Sequence, residues 1–341
     1  MSFPPRLSFT ITNNCNLRCR MCGQWSETGY VRASALTRPE MRLADWKRLV
    51  DEAAAHGVRW LLVRGGEPFL FPGIIELLTY VREKGISLSI DTNGTMLKQF
   101  ASDLVRLDDI TLTISVDGPE EIHDAVRGVS GCFRRIEEGL AALRDEEQAS
   151  GRTIPRTICF TLSRYNLRGL GDMPDVARRL RMPQMHFVPY YYFPEAAGKK
   201  YEEELASVGC RAFSWRGFHH EDSGVDFEEF LRQYHRYKET LRDVREAPFL
   251  TLSEDQYRTW FQDVTTPVGP PECLNLNGLL DIQPDGEANF CIDFPDYSIG
   301  NVRTATLAEL WNGERAQRFR EFRGRNPLAV CHRCGAKYCS A

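Results

Sequence analysis

Residues 15 to 22, Cys15-Asn-Leu-Arg-Cys19-Arg-Met-Cys22, place three thiols within eight positions. They follow Leu7-Ser-Phe-Thr-Ile11, where apolar and polar residues alternate as in a β-strand. Structural zinc sites use four protein ligands, and a cubane iron–sulfur cluster usually takes four cysteines. The loop therefore predicts either a distant fourth ligand or a metal with one open position, at which chemistry can occur. The simpler alternative is a zinc site completed by a histidine.

Four further motifs follow the three-cysteine loop: Gly65-Gly66-Glu67-Pro68, Thr92-Asn93-Gly94, Ser115-Val-Asp117-Gly118 and Arg127-Gly128. With the C-x3-C-x2-C loop, their order and spacing resemble those of the radical S-adenosylmethionine (radical SAM) enzymes across residues 6 to 190. The resemblance implies that Cys15, Cys19 and Cys22 hold a [4Fe-4S] cluster whose open iron is chelated by SAM. Met21 departs from the pattern, since many members of the family have an aromatic residue there.

The same resemblance implies a radical reaction. One-electron reduction, by a partner such as flavodoxin or ferredoxin, would cleave SAM to methionine and a 5′-deoxyadenosyl radical. That radical would then abstract hydrogen from a substrate.

The resemblance also assigns seven residues to SAM binding: Gly65, Gly66, Glu67, Ser115, Asp117, Arg127 and Asn166. The double glycine lets backbone approach a ligand closely, and this segment would hydrogen-bond the SAM amino group. Ser115 and Asp117 resemble the positions near the ribose, and Asn166 is a further ribose candidate. Arg127 resembles the arginine that pairs with the SAM carboxylate, a task suited to a planar guanidinium.

Composition and charge narrow the class of protein. Hydrophobic content of 42% and charged content of 26% are those of an ordinary soluble globular protein. A net charge of -4 gives no basic surface for nucleic acid. The first residues lack the apolar core of a signal peptide, and no apolar run is long enough to predict a membrane span. Eleven cysteines without a secretion signal favour metal ligands in a reducing cytoplasm over disulfides.

Residues 6 to 192 alternate strand and helix patterns, which is typical of a parallel α/β sheet. Six strands are predicted, at 6–12, 58–64, 86–91, 110–116, 156–163 and 184–190. A capping box at Thr37-Arg-Pro-Glu40 predicts the start of the first long helix. Six β/α units without a seventh or eighth predict a partial barrel, and the family resemblance implies the same (β/α)6 fold.

The expected architecture is α/β, a partial (β/α)6 TIM-type barrel followed by a small α+β auxiliary-cluster domain. Residues 1–192 would form the radical SAM core and residues 193–260 a helical bridging segment on the substrate side. Residues 261–341 would form the auxiliary-cluster domain, with a β-hairpin that turns at Pro284-Asp-Gly.

Small polar residues line one face of several predicted strands. The first strand alternates Leu7, Phe9 and Ile11 with Ser8, Thr10 and Thr12, and the third and fourth alternate in the same way. Because helices must cover the apolar face, the polar face is expected to point inward, unlike the apolar layers that fill a closed barrel. This predicts a wet lumen suited to a small polar molecule.

The same alternation on the fifth strand turns Cys159 inward, away from both predicted clusters in sequence. It could donate a hydrogen atom to a substrate radical from the face opposite the deoxyadenosyl group. The simpler interpretation is a small buried hydrophobic residue.

The tail contains five cysteines: Cys273, Cys291, Cys331, Cys334 and Cys339. The C-x17-C followed by C-x2-C resembles the SPASM and twitch auxiliary-cluster domains that are appended to radical SAM cores. A full SPASM domain carries seven cysteines and two clusters, so this tail can complete one. The resemblance implies that Cys273, Cys291, Cys331 and Cys334 ligate a second [4Fe-4S] cluster, although Cys339 could replace Cys334. A four-cysteine zinc ribbon is the alternative.

Together these features predict a cytoplasmic radical SAM oxidoreductase that acts on a small polar, sugar-like or similar molecule, without nucleic-acid or membrane partners. Net dehydrogenation assisted by the auxiliary cluster is the expected reaction. Epimerisation, decarboxylation and peptide modification remain open. For peptide modification, a barrel that begins by residue 6 is expected to leave no room for an N-terminal leader-binding domain. The non-enzymatic alternative is a zinc-binding scaffold.

Overall fold

The computed structural model describes residues 3–33, 39–247, 249–325 and 327–335. Within them the strands of one sheet are β1 Arg6–Thr10, β2 Trp60–Arg64, β3 Ser87–Thr92, β4 Ile110–Ser115, β5 Arg156–Leu162, β6 Gln184–Pro189, β7 Arg245–Glu246, β8 Leu279–Ile282, β9 Glu287–Asn289 and β10 Gly300–Asn301. The strands are ordered β10-β9-β8-β1-β2-β3-β4-β5-β6-β7 across the sheet.

Strands β1 to β6 are parallel and adjacent in chain order, which confirms the predicted partial α/β barrel. The predicted hairpin is also present, as β8 and β9 pair antiparallel around residues 283–286. One feature was not predicted: β8 pairs in parallel with β1, with Leu7 opposite Leu280. The tail therefore extends the barrel sheet itself. The predicted boundaries after residues 192 and 260 stay predictions.

Helices cover the outer side of the sheet. They are α1 Tyr30–Ala33, α2 Leu43–Ala55, α3 Ile74–Glu83, α4 Leu97–Leu104, α5 Glu120–Arg127, α6 Cys132–Ser150, α7 Met173–Arg179, α8 Glu195–Ala206, α9 Phe227–Thr240, α10 Glu254–Gln262, α11 Asn275–Gly278, α12 Leu307–Asn312 and α13 Glu314–Arg325. No helix among the described residues is long and apolar enough to cross a membrane.

The capping-box prediction was wrong. Helix α2 begins at Leu43, and Thr37 lies outside the described residues. Glu40 instead accepts hydrogen bonds from Thr12 Oγ1 at 2.9 Å and from the Asn13 backbone N–H at 2.7 Å. The carboxylate thus fixes the start of the three-cysteine loop instead of the start of a helix.

The strand faces divide as the alternation predicts. Phe9 packs against Trp46 of α2, with ring centroids 4.8 Å apart, so its face of β1 meets the helices. The polar face lines the lumen in layers across neighbouring strands. Thr10 lies opposite Arg64, and Asp91 lies opposite Thr113. One layer nearer the carboxyl ends of the strands, Ser115, Cys159 and His186 follow one another across β4, β5 and β6.

Candidate active site and metal centres

The three-cysteine loop follows β1 at the carboxyl end of the barrel, and each of its sulfurs accepts a hydrogen bond. The donors are the Leu17 N–H to Cys15 Sγ (3.5 Å), Arg127 Nη1 to Cys19 Sγ (3.7 Å) and the Trp25 N–H to Cys22 Sγ (3.4 Å). N–H donors of this kind stabilise a thiolate. Burial raises the pKa of the Cys15 thiol to about 11, so a bound metal must supply the charge that deprotonates it. The donor set fits an iron–sulfur cluster.

The distances between the cysteine sulfurs can be compared with those of a zinc site. With Zn–S bonds of about 2.3 Å, the sulfurs of a tetrahedral site lie about 3.8 Å apart. Among the described residues, one group of three His, Cys, Asp or Glu side chains has ligand atoms that all lie within 4.8 Å of one another. It consists of His123, Asp124 and Cys132. Neither the loop thiols nor the described tail thiols form such a group. Neither set of sulfurs is therefore gathered as closely as the ligands of one zinc ion.

The close grouping of His123, Asp124 and Cys132 has a structural explanation. Asp124 accepts hydrogen bonds from the backbone N–H groups of Gly131 and Phe133, at the start of α6, and from the Cys132 thiol. The carboxylate therefore caps a helix, as acidic residues commonly do.

The Gly65-Gly66-Glu67 segment clamps the cluster loop. The Gly66 N–H donates to Thr12 O and the Glu67 N–H donates to Asn14 O, both at 2.8 Å. A Cβ atom at Gly66 would lie 2.2 Å from Asn14 O, and one at Gly65 would lie 2.6 Å from Thr12 O. The double glycine is thus needed for the approach of the cluster loop itself, whatever ligand the segment also contacts.

We expect Gly66→Ala to lose most of the iron bound by the barrel, because its Cβ cannot fit without moving the cluster-loop backbone. Iron and sulfide analysis after anaerobic reconstitution checks this. Gly324→Ala is the matched control, since a Cβ there meets no atom within 4 Å. Equal iron content in the two variants would contradict the clamp.

Glu67 joins two of the sequence motifs. Its carboxylate accepts hydrogen bonds from Thr92 Oγ1 and from the Asn93 N–H, both at 2.8 Å. Burial raises the pKa of Glu67 to about 7. Asn93 Nδ2 in turn donates to Asn16 Oδ1, inside the cluster loop, at 2.8 Å. The motif at residues 92–94 therefore holds the loop, and the Glu67 carboxylate is engaged by protein.

Arg127 sits between the cluster loop and the end of β4. Its Nε pairs with Asp117 Oδ2 at 2.6 Å while Nη1 reaches Cys19. Asp117 is fully buried, and its other oxygen accepts the Thr161 N–H at 2.9 Å. Asp117 is thus placed to position Arg127, and this geometry argues against its predicted contact with the SAM ribose.

Asn166 is engaged in the same way. Its Nδ2 donates to Asp117 O at 3.1 Å and to Thr161 O at 2.9 Å, and its Oδ1 accepts the Ser163 N–H at 2.7 Å. These bonds leave the amide no donor for a ribose hydroxyl. Asn166 therefore braces the end of β5, and its contact with the SAM ribose stays a prediction. Ser115, by contrast, faces the lumen beside Cys159.

The structure brings the four predicted auxiliary ligands together. Cys273, Cys291, Cys331 and Cys334 line one cavity whose remaining wall is largely apolar and aromatic. The Phe294 N–H donates to Cys291 Sγ at 3.4 Å. Burial raises the pKa of Cys291 well above its usual value, with smaller contributions from Asp293, Cys334 and Cys331. This donor set also fits a cluster. Cys339 lies outside the described residues.

A group of polar side chains on the lumen side of the sheet, which we call the polar chamber, consists of Arg64, Asp91, Asp281, Asp293 and Tyr191. Burial disfavours the Arg64 charge, yet the carboxylates of Asp293, Asp281 and Asp91 raise its pKa above the usual value. Tyr191 OH donates to Asp293 Oδ2 at 3.1 Å and accepts the Gly335 N–H, next to Cys334, at 3.3 Å. The chamber therefore borders the auxiliary cavity.

Sequence reasoning singled out only part of this chamber. The predicted polar face of the third strand contains Asp91. Arg64, Asp281 and Asp293 were missed. The alternation of Leu61 and Val63 with Leu62 and Arg64 in β2 was the available signal that Arg64 points inward.

Comparison with known proteins agrees with this geometry. Residues 9–155 match the Radical SAM superfamily, and residues 273–335 match SPASM, an iron–sulfur cluster-binding domain. The chain belongs to the radical SAM superfamily and carries a SPASM-type auxiliary domain. It is a radical SAM enzyme whose cofactors are SAM, a SAM-binding [4Fe-4S] cluster and an auxiliary [4Fe-4S] cluster.

Individual relatives differ in what they act on. The chain is 27% identical to an AdoMet-dependent heme synthase of Methanosarcina barkeri, over 98% of this chain and 89% of the relative. It is 25% identical to the PqqA peptide cyclase of Gluconobacter oxydans, over 97% of this chain and 83% of the relative. The crystal structure of Streptococcus suis SuiB is similar in fold, with a TM-score of 0.65 at 15% identity, covering 98% of this chain and 72% of SuiB.

Proposed function

We propose that this enzyme removes hydrogen from a small polar substrate held in the barrel lumen, in a net dehydrogenation assisted by one auxiliary cluster. The observation that carries the proposal is the position of the polar chamber. Asp91 interacts electrostatically with Cys159, which interacts with the Arg127–Asp117 pair beside Cys19. At the other side, Asp293 interacts with Arg64 and with Cys291. A substrate in the chamber would lie between the two sets of cysteines.

The ligand assignments are part of this proposal. Cys15, Cys19 and Cys22 would hold the SAM-binding cluster, and Cys273, Cys291, Cys331 and Cys334 the auxiliary one. Gly65, Gly66, Ser115 and Arg127 would contact SAM. A low-potential donor such as flavodoxin or ferredoxin would supply the electron.

When bound, SAM and its cluster supply hydrogen-atom abstraction, and the auxiliary cluster supplies an acceptor for the second electron. The chain's own residues bind the substrate and take the proton. Arg64 Nη1 is fixed by Ile292 O at 2.8 Å, which leaves its other nitrogens to orient a substrate oxygen. We assign the proton to a carboxylate oxygen of Asp91, since burial raises the pKa of Asp91, although Arg64 and the Thr113 hydroxyl act in the opposite direction.

Peptide modification is the second candidate. One relative whose name specifies a peptide supports it, the PqqA peptide cyclase, which is similar over 97% of this chain. An open cleft lined by Tyr192, residues 221–226 and Phe261 could receive a peptide. Heme chemistry fits less well, because heme carries two carboxylates and the chamber presents three aspartates.

The test is deuterium transfer into 5′-deoxyadenosine by anaerobically reconstituted, reduced enzyme. One set of reactions contains deuterated polyols and amino sugars, and the other contains deuterated peptides. Label from a small molecule, together with a product lighter by two hydrogens, is the expected result. Label that comes from peptides alone would replace this proposal with the second candidate.

Cys159 decides between dehydrogenation and epimerisation. Burial raises the pKa of its thiol to about 12, so the S–H bond that a hydrogen donor needs is intact. However, Cys159 lies beside Ser115, on the side proposed for SAM, whereas an epimerase needs its donor on the opposite face. We expect Cys159→Ala to retain turnover, and wild-type product formed in deuterated solvent to contain no solvent deuterium. A variant that forms 5′-deoxyadenosine without product would support the thiol donor.

A further inference from the structure

The polar chamber contains three carboxyl groups and one guanidinium. Among the described residues, Arg64 is the cation that interacts with Asp91, Asp281 and Asp293 together. Burial raises the pKa of all three aspartates, and the Arg64 charge opposes that rise in each. The neighbouring Arg127 is already paired with Asp117 at 2.6 Å. Burial also raises the pKa of Tyr30, which interacts with Arg64, and of Tyr191 and Cys159, and so favours their neutral forms.

Arg64 does not neutralise these carboxylates by contact. Among the described residues, no ion pair of 4 Å or less joins Arg64 to Asp91, Asp281 or Asp293, although several such pairs form elsewhere. Arg64 Nη1 donates its hydrogen bond to the Ile292 carbonyl instead. A purely structural role would favour direct contact, as in the buried Arg156–Glu147 pair at 2.8 Å. The carboxyl groups instead accept hydrogen bonds from neutral groups, Asp293 from Tyr191 and Asp281 from Gln283 and Asn289.

Thr157 provides a buried oxygen that lacks a partner. It is 7% exposed, lies next to Thr113 in the register, and its Oγ1 has no hydrogen-bond partner within the described residues. Asp281, by contrast, accepts hydrogen bonds from Gln283 and Asn289, and the Ser8 hydroxyl beside it lowers its pKa as a donor. Thr157 is on the inward face of its strand, and a polar ligand in the chamber would satisfy its hydroxyl.

We infer that the chamber accepts a substrate that carries an ammonium group, either on a small amine or on a lysine side chain of a peptide. An ammonium group supplies three hydrogen-bond donors and the positive charge that the three carboxylates lack. This inference rests on the proposed function in placing the substrate in the lumen. It goes further by assigning the charge of the substrate.

The test measures equilibrium binding to the holoenzyme with SAM present. The small-molecule probes are glucosamine, glucose and glucuronate, which share a ring and differ in charge. The peptide probes are acetyl-Ala-Lys-Ala-amide and acetyl-Ala-Glu-Ala-amide. We expect the cationic member of at least one series to bind about tenfold or more tightly than its neutral or anionic counterparts, as one charge-assisted hydrogen bond implies. The series that shows the preference identifies the source of the amine.

Asp91→Asn is expected to reduce that preference about tenfold. Asp103→Asn is the control, because Asp103 lies on the outer helix α4, where it pairs with Arg106 at 3.7 Å. Iron content shows that both variants are folded. Tightest binding by glucuronate or the Glu peptide, or no dependence on charge in either series, would overturn the inference. A cationic preference without deuterium transfer would instead contradict the proposed function and leave the charge assignment intact.

Discussion

Replacing Cys15, Cys19 and Cys22 together by alanine is expected to remove about half of the iron and to abolish SAM cleavage. Two cysteine-bound cubanes contain about eight irons, of which the barrel holds about four. The loop from residue 15 to residue 22 contains no further cysteine, histidine, aspartate or glutamate, so nothing else in it replaces the three thiolates as ligands. Iron analysis and chromatographic detection of 5′-deoxyadenosine measure the two effects.

Cys210→Ala is the control for the triple variant. Cys210 is half-buried and contacts Arg315, at 3.5 Å from Sγ to Nη2, away from the cluster loop and the tail cavity. It should keep both clusters and cleave SAM at the wild-type rate. If the triple variant still cleaved SAM, the central assignment of the barrel cysteines would be wrong.

The barrel could be predicted because its signals are local. Five of the six parallel strands have apolar residues with a period of two, and β2 has the apolar run Leu61-Leu62-Val63 instead. Each strand is followed by a helix pattern, so element type and order could be recognised. The pairing of β8 with β1 joins residues about 270 positions apart in the chain. Strand alternation specifies which face is buried but not which distant edge a strand joins. The direct attachment of the tail to the barrel therefore could not be predicted.

The sequence predicted where the site lies better than it predicted what each residue does there. The motifs identified the turns around the cluster loop, but a motif does not give the direction of a side chain. Asp117 and Asn166 therefore looked like ligand contacts, whereas the structure engages both in bracing Arg127 and β5. Asp281 and Asp293 carry no motif. They become recognisable only once the tail hairpin is folded against β1.

The auxiliary ligands give the second large effect. Replacing either Cys273 or Cys331 by alanine is expected to lose the auxiliary cluster and substrate turnover, while the barrel still binds SAM. The cavity that these cysteines line is otherwise walled by apolar and aromatic side chains such as Phe290 and Phe319. Such a wall offers no replacement thiolate, so the cluster loses a corner. Since metal binding and folding are coupled, we also expect lower solubility.

Three measurements separate this outcome from general unfolding. Iron content should fall to about four per chain, the value for one cubane, and SAM binding by equilibrium dialysis should stay close to wild type. Formation of 5′-deoxyadenosine without substrate should also continue, because Cys15, Cys19 and Cys22 are unchanged. If product is lost while the barrel cluster, SAM binding and 5′-deoxyadenosine formation are all retained, the defect lies after hydrogen abstraction. At that step the auxiliary cluster is proposed to accept the second electron. Full iron content in either alanine variant would instead show that another residue, with Cys339 the first candidate, completes the auxiliary site.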